Sequence, residues 1–144
     1  MVHDRWVDLV SAPLEVVAEA RREAEALMTD TVLLERRSES AVTDPVTGVV
    51  SFPTVTIYPV GDEDGRGRVQ ARSSESANAE VAGASITTVT FQGQMPHWVD
   101  VRKDDELVVT ASEDALMVGR RFRVEFVPRK THASKVTATM EEVT

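Results

Sequence analysis

The residues of this 144-residue sequence that could do chemistry are concentrated in GRRFRVEFVPRKTHASKVTATMEEV, residues 119–143. Dense basic charge is typical of a nucleic-acid contact, a loop histidine such as His132 is typical of an active site, and alternation of charged with apolar residues is typical of a hairpin. Within residues 120–135 only Glu125 is acidic, whereas six residues are basic: Arg120, Arg121, Arg123, Arg129, Lys130 and Lys135.

The hairpin interpretation accounts for most of this stretch. Alternation in RRFRVEFV places Phe122 and Phe126 on a core-facing side and the charged residues on the other. A second strand follows in KVTATMEEV, so Arg121 and Arg123 are expected to face Glu141 or its neighbours. A nucleic-acid surface would need its aromatics beside its cations for stacking, and here they are segregated.

Nothing in the sequence has the spacing of a catalytic or metal-binding motif. The histidines, His3, His97 and His132, lack metal-ligand spacing, and no nucleophile motif accompanies them. The acidic turn VGDEDGRGR, residues 60–68, lacks the ligand spacing of a calcium loop, and there are no cysteines. The sequence therefore predicts no enzyme, no metal and no cofactor.

Net charge also argues against a nucleic-acid grip. Residues 120–135 have a net charge of +5. The whole chain has a net charge of −8, so the remaining residues together carry −13. An acidic body of this kind repels a phosphate backbone. No apolar run reaches 18 residues and the start, MVHDRWVDLV, lacks signal-peptide features, so neither a membrane span nor a leader is expected.

The elements that must position these residues begin with a helix over residues 13–28. Pro13 suits a first helical turn and Ser11 suits a cap. The apolar residues recur near one face of this helix: Leu14, Val17, Ala24, Leu27 and Met28. We expect that face to lie across the outside of a β domain or on a neighbouring subunit.

After Met28 the hydrophobic period changes from 3.6 to 2. Seven short strands are predicted, over residues 31–37, 54–60, 66–72, 85–92, 106–112, 120–127 and 135–142. This pattern indicates one domain, residues 1–144, that is mainly β: a small antiparallel β-barrel over 31–143, preceded by the amphipathic helix. Residues 38–52, with the turn DPVTG, and residues 73–84 are expected to be mobile loops. Trp98 is expected to cover a barrel end or to contact a partner.

The order of these elements resembles the small head–tail joining proteins of tailed bacteriophages, the head-closure or stopper group, in the form common among phages of actinobacteria. The resemblance covers most of residues 14–143. It rests on the order of a strand beginning DTV, the DPVTG turn, the strand GRVQ, a Ser/Ala/Glu loop and the strand SITTVTF. The C-terminal run completes it: this run starts at Asp104-Asp105, continues through VGRRFRV and the THAS loop, and finishes with the last strand.

The resemblance implies a virion structural protein of the neck, assembled in the host cytoplasm. It implies a ring, six-fold in the family, with the portal or adaptor ring above, tail proteins below, and genomic DNA passing through without sequence-specific binding. Adaptor and tail-terminator roles remain alternatives within the neck, and an OB-like nucleic-acid-binding barrel remains one outside it.

Two sets of residues follow from this implied role. The element closing the channel is expected to be the segment Ser73, Ser74, Glu75, Ser76, Ala77, Asn78, Ala79, Glu80, Val81, Ala82, Gly83 and Ala84. Contacts with other subunits or partners are expected at Leu14, Val17, Leu27, Met28, Trp98, Arg120, Arg121, Arg129 and Lys130.

Overall fold

A computed structural model describes the backbone of residues 2–81, 84–131 and 133–143, and the side chains of 14–72, 89–131 and 133–143. In these ranges the chain forms one helix, α1 (Val2–Ala26), and nine strands. The strands are β1 (Asp30–Arg37), β2 (Val42–Thr43), β3 (Val50–Ser51), β4 (Thr54–Tyr58), β5 (Arg66–Val81), β6 (Ala84–Pro96), β7 (Glu106–Ala111), β8 (Arg121–Phe126) and β9 (Lys135–Val143).

Strand β1 closes the sheet into a barrel. One of its edges pairs with β7, while its other edge pairs first with β5 and then with β4, all antiparallel. The remaining order is β5–β6–β9–β8–β7, so six strands form a closed antiparallel barrel and β4 is an extra strand beside β1. The predicted mainly-β class, with a small antiparallel barrel and an N-terminal helix, is confirmed.

Alternate residues of the strands fill the barrel, as a period of 2 requires. Leu34 of β1, Leu107 of β7 and Phe122 of β8 are fully buried. Phe126 is not: it is 62% exposed, although the sequence placed it on the core face. The β8–β9 register shifts between Val124 and Phe126, and such a bulge reverses which face the following residue occupies.

The helix differs from its prediction at both ends. It begins at Val2, so Pro13 lies inside it and Ser11 is not its cap. An interior proline removes one hydrogen-bond donor and crowds the preceding turn, yet the helix is continuous through Pro13. At the other end Leu27 and Met28 donate to the carbonyls three residues earlier, which tightens the last turn and ends the helix.

The two predicted mobile loops are both strand-containing. Residues 38–52 include the paired strands β2 and β3, with Asp44 accepting from the backbone of Val46 in the connecting turn. Residues 73–81 continue β5 and residue 84 begins β6, so this segment is part of a long hairpin; Ala82 and Gly83 lie outside the described residues. The small polar residues of 73–84 indicated a loop, but backbone hydrogen bonds between strands need no apolar side chains, so this composition also allows a strand.

Candidate functional site

The long β5–β6 hairpin extends beyond the barrel. Strand β6 pairs with β9 only from Phe91 onward, and β5 pairs with β1 only near its start. From Arg72 to Val81, β5 therefore pairs only with β6 within the part of the chain that the structure describes. Ten residues of strand span roughly 30 Å. We call residues 72–90 the ribbon; it contains the whole segment predicted to close a channel.

The basic residues of the β8–β9 hairpin are largely paired within the chain. Arg123 donates to Glu141 at 3.1 Å, and the two residues are register partners, as predicted. Arg121 instead lies between Glu35, at 3.5 Å, and Glu106, at 3.3 Å. The +5 balance of residues 120–135 is thus substantially neutralised by carboxylates from elsewhere in the fold.

Arg120, a predicted partner contact, is held most firmly. It makes a two-pronged contact with the carboxylate of Glu142, with Nε at 3.1 Å from Oε1. Its guanidinium also lies 5.2 Å from the ring centre of Phe91 and 5.7 Å from that of Phe122. The hydrogen bond with Glu142 raises the pKa of Arg120, burial opposes that effect, and the charges of Glu142 and Asp114 add to it. Arg120 is thus held by residues of its own chain, and its contact with a partner stays a prediction.

The other predicted contacts on the basic hairpin lie at the connection between β8 and β9. Arg129 donates to the backbone oxygen of Val101 at 2.8 Å and lies 3.9 Å from a carboxylate oxygen of Asp100. Lys130 is exposed and lines a cleft shared with Lys135. The predicted loop histidine, His132, lies outside the described residues.

The helix residues predicted to contact partners divide into two groups. Leu14 and Leu27 are 60% and 59% exposed, so they are available to a neighbour. Val17 is half-buried, since α1 packs against β6 and β9. Met28 is only 6% exposed, so its assignment as a partner contact is wrong: it follows the last turn of the helix and enters the core.

Trp98 is half exposed, at 51%, in the turn after β6. Its ring meets that of His97 edge-on at 5.3 Å between centroids. The His97 imidazole is half-buried near α1, and its pKa is lowered by burial and then by the charge of Arg21. Trp98 is therefore accessible beside a helix–barrel junction, and its contact with a partner stays a prediction.

The sequence interpretation missed a buried ion pair. Asp105 is 1% exposed, and its two carboxylate oxygens accept hydrogen bonds from Arg36 at 2.8 and 2.9 Å. The backbone N–H of Arg102 donates to the same carboxylate. Asp104 has φ of 71°, so the turn places Asp105 inward. Asp104-Asp105 begins the C-terminal run on which the family resemblance rests, but the distant partner of Asp105 left no local signal in the sequence.

A second feature was also missed, on the β2–β3 hairpin. Its valines are exposed, including Val46 at 90% and Val49 at 61%. Phe52 lies under the guanidinium of Arg37, with 4.3 Å between the guanidinium carbon and the ring centre. The apolar residues flanking the DPVTG turn were the available signal. Exposed apolar clusters of this kind mark contact surfaces.

In the described ranges no group of three His, Cys, Asp or Glu residues could hold a metal ion. No described helix combines the length and the apolar character needed to cross a membrane.

The model of a family of unknown function, DUF6093, matches residues 20–141. The chain belongs to DUF6093. The matched range begins at residue 20, inside α1, and ends at residue 141, inside β9. It therefore includes β1 to β8, most of β9, the ribbon and the last part of the helix. No curated protein matches the chain.

Proposed function

We propose that this chain is a structural protein of the neck of a tailed bacteriophage, where its copies form a ring that acts as head-closure, or stopper, protein. The ring would lie between the portal or adaptor and the tail, hold DNA in the filled head and provide the platform for tail attachment. The protein would assemble in the host cytoplasm and remain in the virion. The order of elements described above motivates this role.

The ribbon is the observation that carries the proposal. A two-stranded hairpin is marginally stable in water without a further strand or a packed face. In the described ranges the ribbon has no third strand, yet it extends roughly 30 Å from the barrel. Neighbouring copies in a ring would supply the missing packing surface. A ribbon of Ser, Ala and Glu directed toward the axis would narrow a channel without binding phosphate tightly.

The distribution of charge supports the same role. The chain carries −8 in total, and the basic residues of β8 are paired with glutamates of β1, β7 and β9. A ring of such subunits repels duplex DNA over most of its surface, which suits a channel through which DNA must slide. The exposed valines of β2–β3 and the exposed leucines of α1 would supply contacts to neighbouring proteins.

Labelled electron microscopy tests the location. Antibodies raised against the purified chain would be applied to tailed particles produced from the genome that encodes it. Gold label at the junction of head and tail supports the neck. Label on the capsid faces or the tail tip, or particles that lack the chain altogether, would reject the proposal.

A ribbon deletion tests the role within the neck. Ser73 and Val89 are register partners, so replacing residues 74–88 by Asn-Gly joins them through a two-residue hairpin turn and leaves the barrel pairing intact. The matched control keeps the ribbon at full length and carries Thr87→Ser and Thr88→Ser, which alter the same segment without shortening it.

We expect the shortened ribbon to yield particles of normal protein composition that lose their DNA, while the control retains it. Full DNA retention and infectivity with the shortened ribbon would contradict the stopper role. Filled heads without tails would instead favour an adaptor or tail-terminator role.

A further inference from the structure

A polar cleft lies on the outer face of β5, β6 and β9, where the ribbon leaves the barrel. Alternate residues of β6 divide between the two faces: Met95 points into the core, while Gln92 and Gln94 line the cleft. The connection between β8 and β9 forms its wall, held to the helix by a hydrogen bond from Arg21 to the carbonyl of Ala133. The cleft has a volume of about 330 Å³.

The charge of this cleft is opposite to that of the whole chain. Three cationic side chains line it: Arg72 from β5, Lys130 from the connection and Lys135 from β9. None of the other described lining residues is a carboxylate. Within the described ranges none of the three forms an ion pair, in contrast to Arg120, Arg121 and Arg123. Bringing like charges together costs free energy, and a bound anion would offset that cost.

Neutral hydrogen-bonding groups complete the lining. Gln94 is 94% buried, since only 6% is exposed, and Ser134 and Thr137 add hydroxyl groups. The Oε1 atom of Gln92 is buried and accepts no hydrogen bond from the described residues. Rotating that amide by half a turn would present Nε2 in its place, which would make it a donor. The set is suited to an oxyanion with several acceptor oxygens.

The chemistry of the lining favours phosphate over a nucleobase or a carboxylate. Among the described residues no aromatic side chain lines the cleft, so these residues offer no ring on which a base could stack. A phosphate group offers more acceptor oxygens than a carboxylate and can engage several cations at once. The lysines act as point charges and the arginine adds a planar fork, which suits phosphate oxygens at varied angles.

We propose that this cleft is a phosphate-binding site, taking either free phosphate and oligophosphate or the phosphodiester backbone of nucleic acid without reading its bases. The site does not depend on the neck role. A neck protein could lack it, and a protein of another function could possess it.

Titration calorimetry at low salt tests the site with three probes: sodium tripolyphosphate, a twelve-nucleotide oligothymidine, and a hexaglutamate peptide. The test variant carries Lys130→Gln and Lys135→Gln. The matched control carries Arg22→Gln and Lys103→Gln, two exposed cations outside the cleft, so both proteins lose the same charge.

We expect wild type to bind tripolyphosphate, the test variant to bind it at least tenfold more weakly, and the control to change less than about twofold, because the losses arise from direct charge-assisted hydrogen bonds. Tighter binding of the oligonucleotide, with a salt slope that is smaller by about 1.4 in the test variant, would identify the nucleic-acid backbone as the source. Oligonucleotide binding no tighter than tripolyphosphate would identify free phosphate. Equal losses in both variants, preference for hexaglutamate, or no binding of phosphate would overturn the proposal.

Discussion

At the scale of single residues, the Arg36–Asp105 pair ties the end of β1 to the turn before β7. Asp105 is 1% exposed, and its two carboxylate oxygens accept hydrogen bonds from Nε and Nη2 of Arg36, whereas Asp104 beside it is exposed. Asp105→Asn should lower the free energy of unfolding by about 3 kcal/mol, because the partly buried guanidinium loses its buried counter-charge and is left with the half-exposed carboxylate of Asp100, 3.7 Å away. Urea denaturation measures this loss.

The adjacent aspartate provides the control for that experiment. Asp104 has a positive φ, a conformation that asparagine tolerates well. Asp104→Asn should therefore change stability by less than about 0.5 kcal/mol. If the two substitutions had the same effect, the buried pair would not be the source of the stability.

His97 gives the junction between helix and barrel a dependence on pH. Burial lowers its pKa below the ordinary 6.5, the nearby charge of Arg21 lowers it further, and Glu25 opposes them. Below about pH 6.5 the unfolded chain binds a proton that the folded chain does not, so stability contributed by His97 is complete above that pH and falls as pH drops. His97→Gln should lose less stability than wild type between pH 7.5 and 5.5, as measured by urea denaturation. A variant that parallels wild type would contradict this.

At the scale of elements, two glycines allow neighbouring barrel strands to approach closely. A Cβ on Gly67 of β5 would lie 2.8 Å from Cγ2 of Val32 and 3.1 Å from the carbonyl oxygen of Gln94. A Cβ on Gly93 of β6 would lie 2.8 Å from Cε of Met140, the far end of a flexible side chain. Only the first site meets a stiff branched side chain and backbone.

Alanine substitutions should therefore have unequal effects on the two strands. Gly67→Ala should lower the free energy of unfolding by about 2 kcal/mol through overpacking, and Gly93→Ala by less than about 1 kcal/mol because Met140 can adjust. Denaturation of the two variants in parallel measures the difference. A larger loss at Gly93 would show that the Met140 side chain is more constrained than its flexibility implies.

At the scale of the whole molecule, like charge and exposed apolar surface oppose each other. The net charge of −8 repels other copies, while the β2–β3 valines and the helix leucines offer contacts. The isolated chain should be largely monomeric at low salt and associate weakly as salt screens the repulsion. Sedimentation at 0.05 and 0.5 M salt checks this. A tight ring that persists at both salt concentrations would contradict it.

The contact surface can be tested in the same measurement. Val46→Ser with Val49→Ser removes exposed apolar area without changing charge, and it should reduce the association seen at high salt. Association that is unchanged in this variant would assign the contact to another surface, such as the helix.

The sequence by itself determined the class of fold, because its signals are local. A period of 2 predicted the strands that form the barrel, and the alternation in RRFRVEFV and KVTATMEEV predicted the Arg123–Glu141 pair of one hairpin. The helix was also predicted, although its start and end were not, since helix limits depend on packing and on how the last turn is tightened.

Only the tertiary structure decided the features that join distant parts of the chain. Closure through β1 and β7, the Arg36–Asp105 pair and the three cations of the cleft each combine residues far apart in sequence, so no local period records them. The bulge that exposes Phe126 depends on register with β9, and the ribbon depends on backbone pairing between segments whose small polar residues resemble a loop. Local composition measures what a segment can bury, whereas these features are determined by which other segment it meets.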